Sequence, residues 1–498
     1  MSWPAGTYRG AGIAVNGTGT TPLIKNNLIV GNSSGDRGGG IYIDDWAGSR
    51  PSPTIVNNTI VGNANGGIVG MAGTPTIRDC IIWGNGPYDL NNIQASQIAN
   101  CVIRDGKFNG VNGCTNADPL FVSGYLLSQK AAGQSVDSPC LNAGSQSATT
   151  AGLNGLSTRT DGVSDSGQVD IGYHFPAGTT YGVDVYISAA TGNDTYTLSQ
   201  ATNPATPWKS ITKALNQVDN YSWRIHVAAG RYVSPAETFP LNMVQGVQLL
   251  GAGALSTTID VQRAAVNAIS CSWVGIGLID GFTIRGAGVA GAGTGGACGI
   301  SLGGPSCLTI SHNIITDNRE GWAGGGIRSW QAGPILMDNL IVGNYANGGG
   351  NGSGGGVYLY DNYGAQLINN TIVSNSSPGK VGGVQFYSQS ASPRPIIKNC
   401  IIWGNGTDLD LVQAADIDHC EISDGQFNTT NNCSSADPQF KGAGDYRLKA
   451  SSPCVRAGVT EAWMIHDTDL DGQPRKSGSQ VDMGAYELRG SGTSVFFH

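Results

Sequence analysis

The chain has 498 residues, of which 76 are glycine and only 12% are charged, with a net charge of −8. A chain this long can bury a large core, and low charge with abundant Gly and Asn favours coils and turns over helices. No basic patch of the nucleic-acid type and no apolar run of membrane-spanning length is present, so nucleic acid is excluded as a partner and a membrane span as an element.

The opening, MSWPAGTYRG, lacks a basic start followed by an apolar core, so no signal peptide is visible. It enters in mid-repeat, which suggests an excised or truncated piece. From there one phrase recurs: PLIKNNLIVGN ending at Asn32, PTIVNNTIVGN at Asn63, PTIRDCIIWGN at Asn85, LTISHNIITDN at Asn318, PILMDNLIVGN at Asn344, AQLINNTIVSN at Asn375 and PIIKNCIIWGN at Asn405. Within each half the copies follow at roughly two to three dozen residues, the period of a solenoid. Ile or Leu holds the third place and Ile the eighth, which predicts two interior aliphatic columns when coils stack at about 4.8 Å. Asn, Asp or His takes the fifth place. Asn always closes the phrase, where it suits a tight turn because it tolerates the left-handed region and its amide bonds along a ladder. The expected structural ladder is Asn32, Asn63 and Asn85, then Asn318, Asn344, Asn375 and Asn405.

After most copies comes a second phrase, in which glycines run into an alternating strand: GGGIYI from Gly38, GGI from Gly66, GGGIRSW from Gly324, GGGVYLY from Gly354 and GGVQFY from Gly382. Glycines permit a corner that a side chain would obstruct, and alternation turns one face in and the other out. On these phrases the chain resembles the right-handed parallel β-helix of the pectin-lyase-like superfamily. The ends of both halves resemble the choice-of-anchor Q domain of bacterial secreted and surface proteins.

Those ends match at length. The first half carries PTIRDCIIWGNG, CVIRDGKFNGVNGCTNADPLF, SPCLNAG and GQVDIGYHF; the second carries PIIKNCIIWGNG, CEISDGQFNTTNNCSSADPQF, SPCVRAG and SQVDMGAYEL. This is an internal duplication. The implied fold is all-β: two tandem right-handed parallel β-helix solenoid units at 1–180 and 181–490, and a tail at 491–498. In register Ile13 corresponds to Ile327, Ile41 to Val357 and Ile68 to Val384, so the first unit begins where the second is several coils in. Only the second has NPATPWKSITKALNQV, whose Ile211, Leu215 and Val218 share one helical face behind Pro207. That reads as a short capping helix over strand edges that would otherwise template aggregation.

Four cysteines of the first half match four of the second: Cys80 with Cys400, Cys101 with Cys420, Cys114 with Cys433 and Cys140 with Cys454. Cys271, Cys298 and Cys307 have no counterpart. Matched, non-clustered cysteines beside loops favour disulfides and an exported, secreted or cell-surface protein, and the absence of a CxxC pair argues against zinc held by thiolates. The pairing is open, and an interior thiol stack at Cys80 and Cys400 is the alternative.

With Ile327, Val357 and Val384 inward, the alternation sends Arg328, Tyr358 and Gln385 outward, followed by Trp330, Tyr360 and Tyr387. Stacking then makes two vertical rows, with Asp361 beside them. A file of aromatic faces suits a sugar chain, whose C–H edges meet the rings while flanking polar groups bond the hydroxyls; the alternative is aromatics that simply cover one another. The first half carries the row in part, with Tyr42, Asp44 and Asp45 in the places of Tyr358, Tyr360 and Asp361. A lyase would need a carboxylate neutraliser and a base, and Arg328 with Tyr358 or Tyr360 could be cast so. The acidic-ligand set of calcium-dependent pectate lyases and the motifs of polygalacturonases are not found.

Asp467, Asp469 and Asp471 followed by Gly472 resemble the front of a calcium loop, without the Glu at the twelfth place, which is Gly478. Calcium is the one cofactor this suggests, against a structural turn network. The reading is of an extracellular structural or adhesive protein whose partner is polysaccharide or another copy of itself. The alternatives are a pectin-lyase-like enzyme and a fibre scaffold without ligand.

Overall fold

The computed structural model describes residues 12–488 apart from 33–37, 45–47, 49, 87, 123–124, 179–182, 219–222, 290–296, 305, 349–352, 361–363, 388–393, 462–463, 465–466 and 477. Asp45, Asp361, the opening ten residues and the tail 491–498 lie outside the described residues.

Each phrase makes two three-residue strands separated by a bend. In the last copy these are Ile396–Lys398 and Ile401–Trp403. The bends fall at the fifth and tenth places, which have positive φ: Asn399 at 53° and Gly404 at 66° there, Asn57 at 51° and Gly62 at 61° in an earlier copy. Asn, Asp and Gly occupy most of these places because they enter the left-handed region at least cost. The expected role of the terminal asparagine is thereby corrected: none of the seven has a positive φ. The bend sits one residue earlier, which frees the asparagine to point inward.

Strands of successive coils pair in parallel. The third place runs Ile310, Leu336, Leu367, Ile397 and the eighth Ile315, Ile341, Ile372, Ile402, all buried. The glycine-led strands form the third wall through Ile300, Ile327, Val357, Val384 and Leu409. Strands from Ile13 to Ile103 thus build three sheets of four strands, and those from Val183 to Ile422 build sheets of nine, eight and seven. A Cβ on Gly39 would lie 1.9 Å from the Ala64 carbonyl oxygen, and one on Gly382 1.9 Å from that of Asn405, so the corner admits only glycine.

Inside the bends run two amide ladders. The backbone N–H and Nδ2 of each terminal asparagine donate to Oδ1 of the next, from Asn32 to Asn63 to Asn85 and from Asn318 to Asn344 to Asn375 to Asn405, at 2.8 to 3.1 Å. The last rungs donate to Asp89 and Asp408, carboxylates that end the series without an amide hydrogen left to place. The sixth place makes the second ladder, Asn27 to Asn58 and Asn313 to Asn339 to Asn370, each ending on a cysteine, Cys80 or Cys400, whose sulfur accepts the N–H of the last asparagine, Asn58 or Asn370, at 3.4 to 3.5 Å.

The disulfide expectation is corrected at the same place. All eleven cysteines are free and buried. Cys80 and Cys400 stand where asparagines stand in earlier coils, so these two thiols fill the interior of the stack.

The helix Ile211–Leu215 begins at Ser210, whose side chain accepts from Lys213 N, and the Glu237 carboxylate takes the N–H groups of Ile211 and Thr212, each at 2.8 Å. Its buried face meets the strands Val183–Ile187, Trp223–Val227 and Leu241–Asn242. The two groups of sheets touch laterally. Buried Arg104 donates to the carbonyls of Gly333 at 2.7 Å and Gly364 at 2.9 Å and to Cys307 Sγ at 3.3 Å, while Cys307 donates to Gly84 O.

Candidate functional site

Parallel register brings Gly303, Trp330 and Tyr360 into one column of the glycine-led wall. Trp330 stacks on Tyr360 with centroids 3.9 Å apart and planes 13° apart, and Tyr360 on Tyr387 at 4.8 Å and 19°. Rings at one coil spacing bury each other's faces, so the file presents edges and hydroxyls along its length. A sugar therefore has no ring face to lie on within the stack. On the side away from Tyr360 the register neighbour of Trp330 is Gly303, which has no side chain, and Trp322 lies beside the indole at 6.0 Å and 42°. Trp330 is 39% exposed, and Trp273, on the coil beyond Gly303, is 53% exposed.

The neighbouring column departs from its expected outward place. Tyr358 and Gln385 are buried, as is Tyr42 in the first half, and Arg328 is half-buried. Loops fold back over them. Strands Arg319–Glu320 and Tyr345–Ala346 pair across this face, and Trp322 sets its edge on the Tyr358 ring at 5.4 Å. Arg328 Nη1 is 3.1 Å from Glu320 Oε1 and its Nη2 donates to Ser301 Oγ. Gln385 takes a hydrogen bond from Ser353 and gives one to Asp410. The lyase roles cast for Arg328 and Tyr358 are corrected on that ground: the guanidinium is committed to a buried carboxylate and the phenol is covered.

A second set of polar side chains emerges at the fifth-place bends. Their outward positions dock the looped segment that follows each stack. Asn26 Nδ2 donates to His174 O, Asn57 Nδ2 to Asp170 O, and Asp79 Oδ1 accepts from Ser145 N. In the second stack Asn369 Nδ2 donates to Asp482 O, and Asn399 Oδ1 accepts from Val459 N. His312 and Asp338, further up the same row, meet the run 467–475. His312 Nδ1 lies 2.7 Å from Asp280 Oδ1 and Nε2 2.8 Å from Thr468 O. Although burial pulls its pKa down, the hydrogen bond and charge of Asp280, with Asp338 and Asp467, raise it to about 10. Burial pushes Asp338 up to about 7 against the nearby Arg475 charge.

The three aspartates proposed from sequence as calcium ligands do not converge. Asp467 belongs to the His312 group; Asp469 accepts the N–H groups of Asp471, Gln473 and Glu487; Asp471 pairs with Arg447 Nη2 at 2.6 Å. With one carboxylate spent on turn amides and another on a guanidinium, the run is a turn network. The fifth-place docking row was not read from the sequence. Its signal was the restriction to Asn, Asp and His at a place that faces away from the core.

These features define a parallel β-solenoid whose outer bends carry a docked loop segment. The family described as "Right handed beta helix region" matches residues 8–129 and 246–435, and the chain belongs to it. No curated protein matches the sequence. Among solved structures, pectate lyase Pel9A is similar at 13% identity, covering 63% of this chain and 98% of its own, with a TM-score of 0.32. A pectin methylesterase from carrot is 13% identical over 49% of this chain and 82% of its own at 0.27, and a rhamnogalacturonan lyase 12% identical over 60% and 97% at 0.24. Scores this low carry no argument about substrate. Among the described residues no helix is long and apolar enough to cross a membrane.

Proposed function

We propose that the chain is an extracellular structural or adhesive β-helix of two tandem units, 1–180 and 181–490, that holds polysaccharide at the Trp330 end of its aromatic file. The observation that carries this is the break in the column at Gly303, which leaves the Trp330 face over that step, about 4.8 Å or one coil, without a register partner, the indole being 39% exposed with Trp322 tilted beside it at 6.0 Å. A pyranose laid on that face is what an exposed, edge-bounded aromatic favours. The helix Ile211–Leu215, packed on the first strands of the second unit, serves as its lid.

The test exploits the break. A Cβ on Gly303 meets nothing closer than Ser272 Oγ at 3.5 Å, so a side chain can leave the backbone there, and Gly303→Tyr is designed to extend the file over Trp330. Glycan-array binding by the whole chain is expected to be lost in both Gly303→Tyr and Trp330→Ala. Binding unchanged in both overturns the reading. A scaffold role without ligand has one observation in its favour: strands Ile13–Val15, Leu23–Lys25 and Leu28–Val30 are the outermost of their sheets among the described residues. End-to-end filaments in micrographs, with no glycan bound, would support it.

A further inference from the structure

Two carboxylate oxygens and one backbone carbonyl oxygen surround His312 Nε2 where the run 467–475 meets the fifth-place row. His312 Nε2 is 2.8 Å from Thr468 O, 3.7 Å from Asp467 Oδ1 and 4.0 Å from Asp338 Oδ2, and the ligand atoms of the three side chains lie within 4.8 Å of one another. Donors about 2.0–2.2 Å from a tetrahedral zinc ion stand roughly 3.3–3.6 Å from each other, so the set spans the spacing one such ion requires. On the far side of the ring His312 Nδ1 meets Asp280 Oδ1 at 2.7 Å, and Ser311 Oγ donates to the same oxygen. A histidine held by a carboxylate through one nitrogen presents the other in a fixed direction, the usual support of a metal-bound imidazole.

Asp338 supplies an independent indication. It is fully buried, yet neither carboxylate oxygen accepts a hydrogen bond. Oδ1 faces Arg475 Nη1 at 3.3 Å, outside hydrogen-bond geometry, and Oδ2 faces the His312 group. A buried carboxylate without a donor is costly, and a cation removes that cost.

We propose that His312, Asp338 and Asp467, with the Thr468 carbonyl, bind one divalent cation of the zinc class, which clips the run 467–475 to the fifth-place row. A different cluster in the looped ending of the first half offers the contrast. Asp165, Asp170 and His174 also cluster, but His174 Nε2 meets Asp165 at 2.9 Å and its Nδ1 meets Gly172 O at 3.1 Å, while Asp170 accepts from Asn142 N and Thr158 Oγ1. That group is satisfied by hydrogen bonds and needs no ion.

The experiment uses the whole chain, stripped with chelator and titrated with Zn²⁺ by calorimetry, with Co²⁺ absorption as a second readout of nitrogen and oxygen coordination. One equivalent is expected to bind and to raise the melting temperature. His312→Ala abolishes binding, and Asp280→Asn, a change in a positioning residue, weakens it by about tenfold or more. Asp467→Asn, on the docked run, guards against a His312→Ala chain that fails to fold, and circular dichroism checks both. Absence of stoichiometric binding by the unmutated chain, or binding that survives both His312→Ala and Asp467→Asn, overturns the proposal.

Discussion

The two copies of the docked ending agree where main chain meets main chain or a side chain both copies share, and diverge where the contact is made by a side chain that only one copy has. Gly172 N donates to Asp79 O at 3.0 Å, and Gly484 N to Asn399 O at 2.8 Å. Tyr173 N reaches Thr59 Oγ1 and Ala485 N reaches Thr371 Oγ1, both at 2.9 Å. One coil earlier the match ends: Asn26 bonds the His174 backbone, while Asp338 in its place faces Arg475. At the other end of the stack Arg104 and Val102 of the first copy become Ser423 and Glu421. Backbone contacts tolerate substitution because every residue but proline offers the same N–H and C=O. The side-chain contacts have followed what lies alongside: Arg104 has a neighbouring stack to hold, and its counterpart is a serine bonded to Asp408.

The sharpest way to break the likeness is to remove a shared rung. Asn344→Ala strands the donors of Asn318 and the carbonyl of Ile315 in the interior. At about 1–3 kcal/mol for each unsatisfied buried group, the loss is expected to reach several kcal/mol, with Asn63→Ala comparable in the first stack. Chemical denaturation followed by circular dichroism checks both, and a loss under about 1 kcal/mol in each would remove the ladders from the account.

Next comes the residue the copies do not share. Arg104→Ser, the residue of the second copy, is expected to cost about 2–3 kcal/mol through the lost charge-assisted bonds to Gly333 and Gly364. It should also open Cys307 to thiol reagents, a change read directly by labelling. Unaltered labelling would show that the two stacks are held together elsewhere.

Glu421→Val installs the first copy's residue in the second and is expected to stabilise by about 1–2 kcal/mol. Glu421 is buried with Oε1 unbonded, and burial pushes its pKa up to about 7. An acid whose folded pKa is raised contributes stability below its ordinary range and loses it as pH rises through about 7, so the gain should be larger at about pH 8 than at about pH 5. Melting temperatures at the two pH values test this; an equal shift at both would place the effect outside ionisation.

The smallest effect is expected at the turn network. Asp471→Asn breaks a partly exposed pair with Arg447 and should cost under about 1 kcal/mol. Calcium should leave the melting curve of both chains unmoved. Asp469→Ala, which strands three turn amides, should cost more than Asp471→Asn.

What the letters determined by themselves is the stack. The third and eighth places recur at fixed spacing, and a repeated apolar residue in a coil can satisfy itself only by sitting over its like, so fold class and columns could be read from Ile310 to Ile402. The terminal asparagines were legible as a ladder for the same reason, though their backbone was assigned to the bend that the tenth place makes. The tertiary structure alone decided what covers the outside. Whether Tyr358 is buried or Trp330 exposed depends on loops without period, and whether Asp467 meets Asp471 or His312 depends on a segment 155 positions away in the chain. Repetition encodes contacts between neighbours along the axis; contacts made when a distant, unrepeated segment folds back leave no spacing to read.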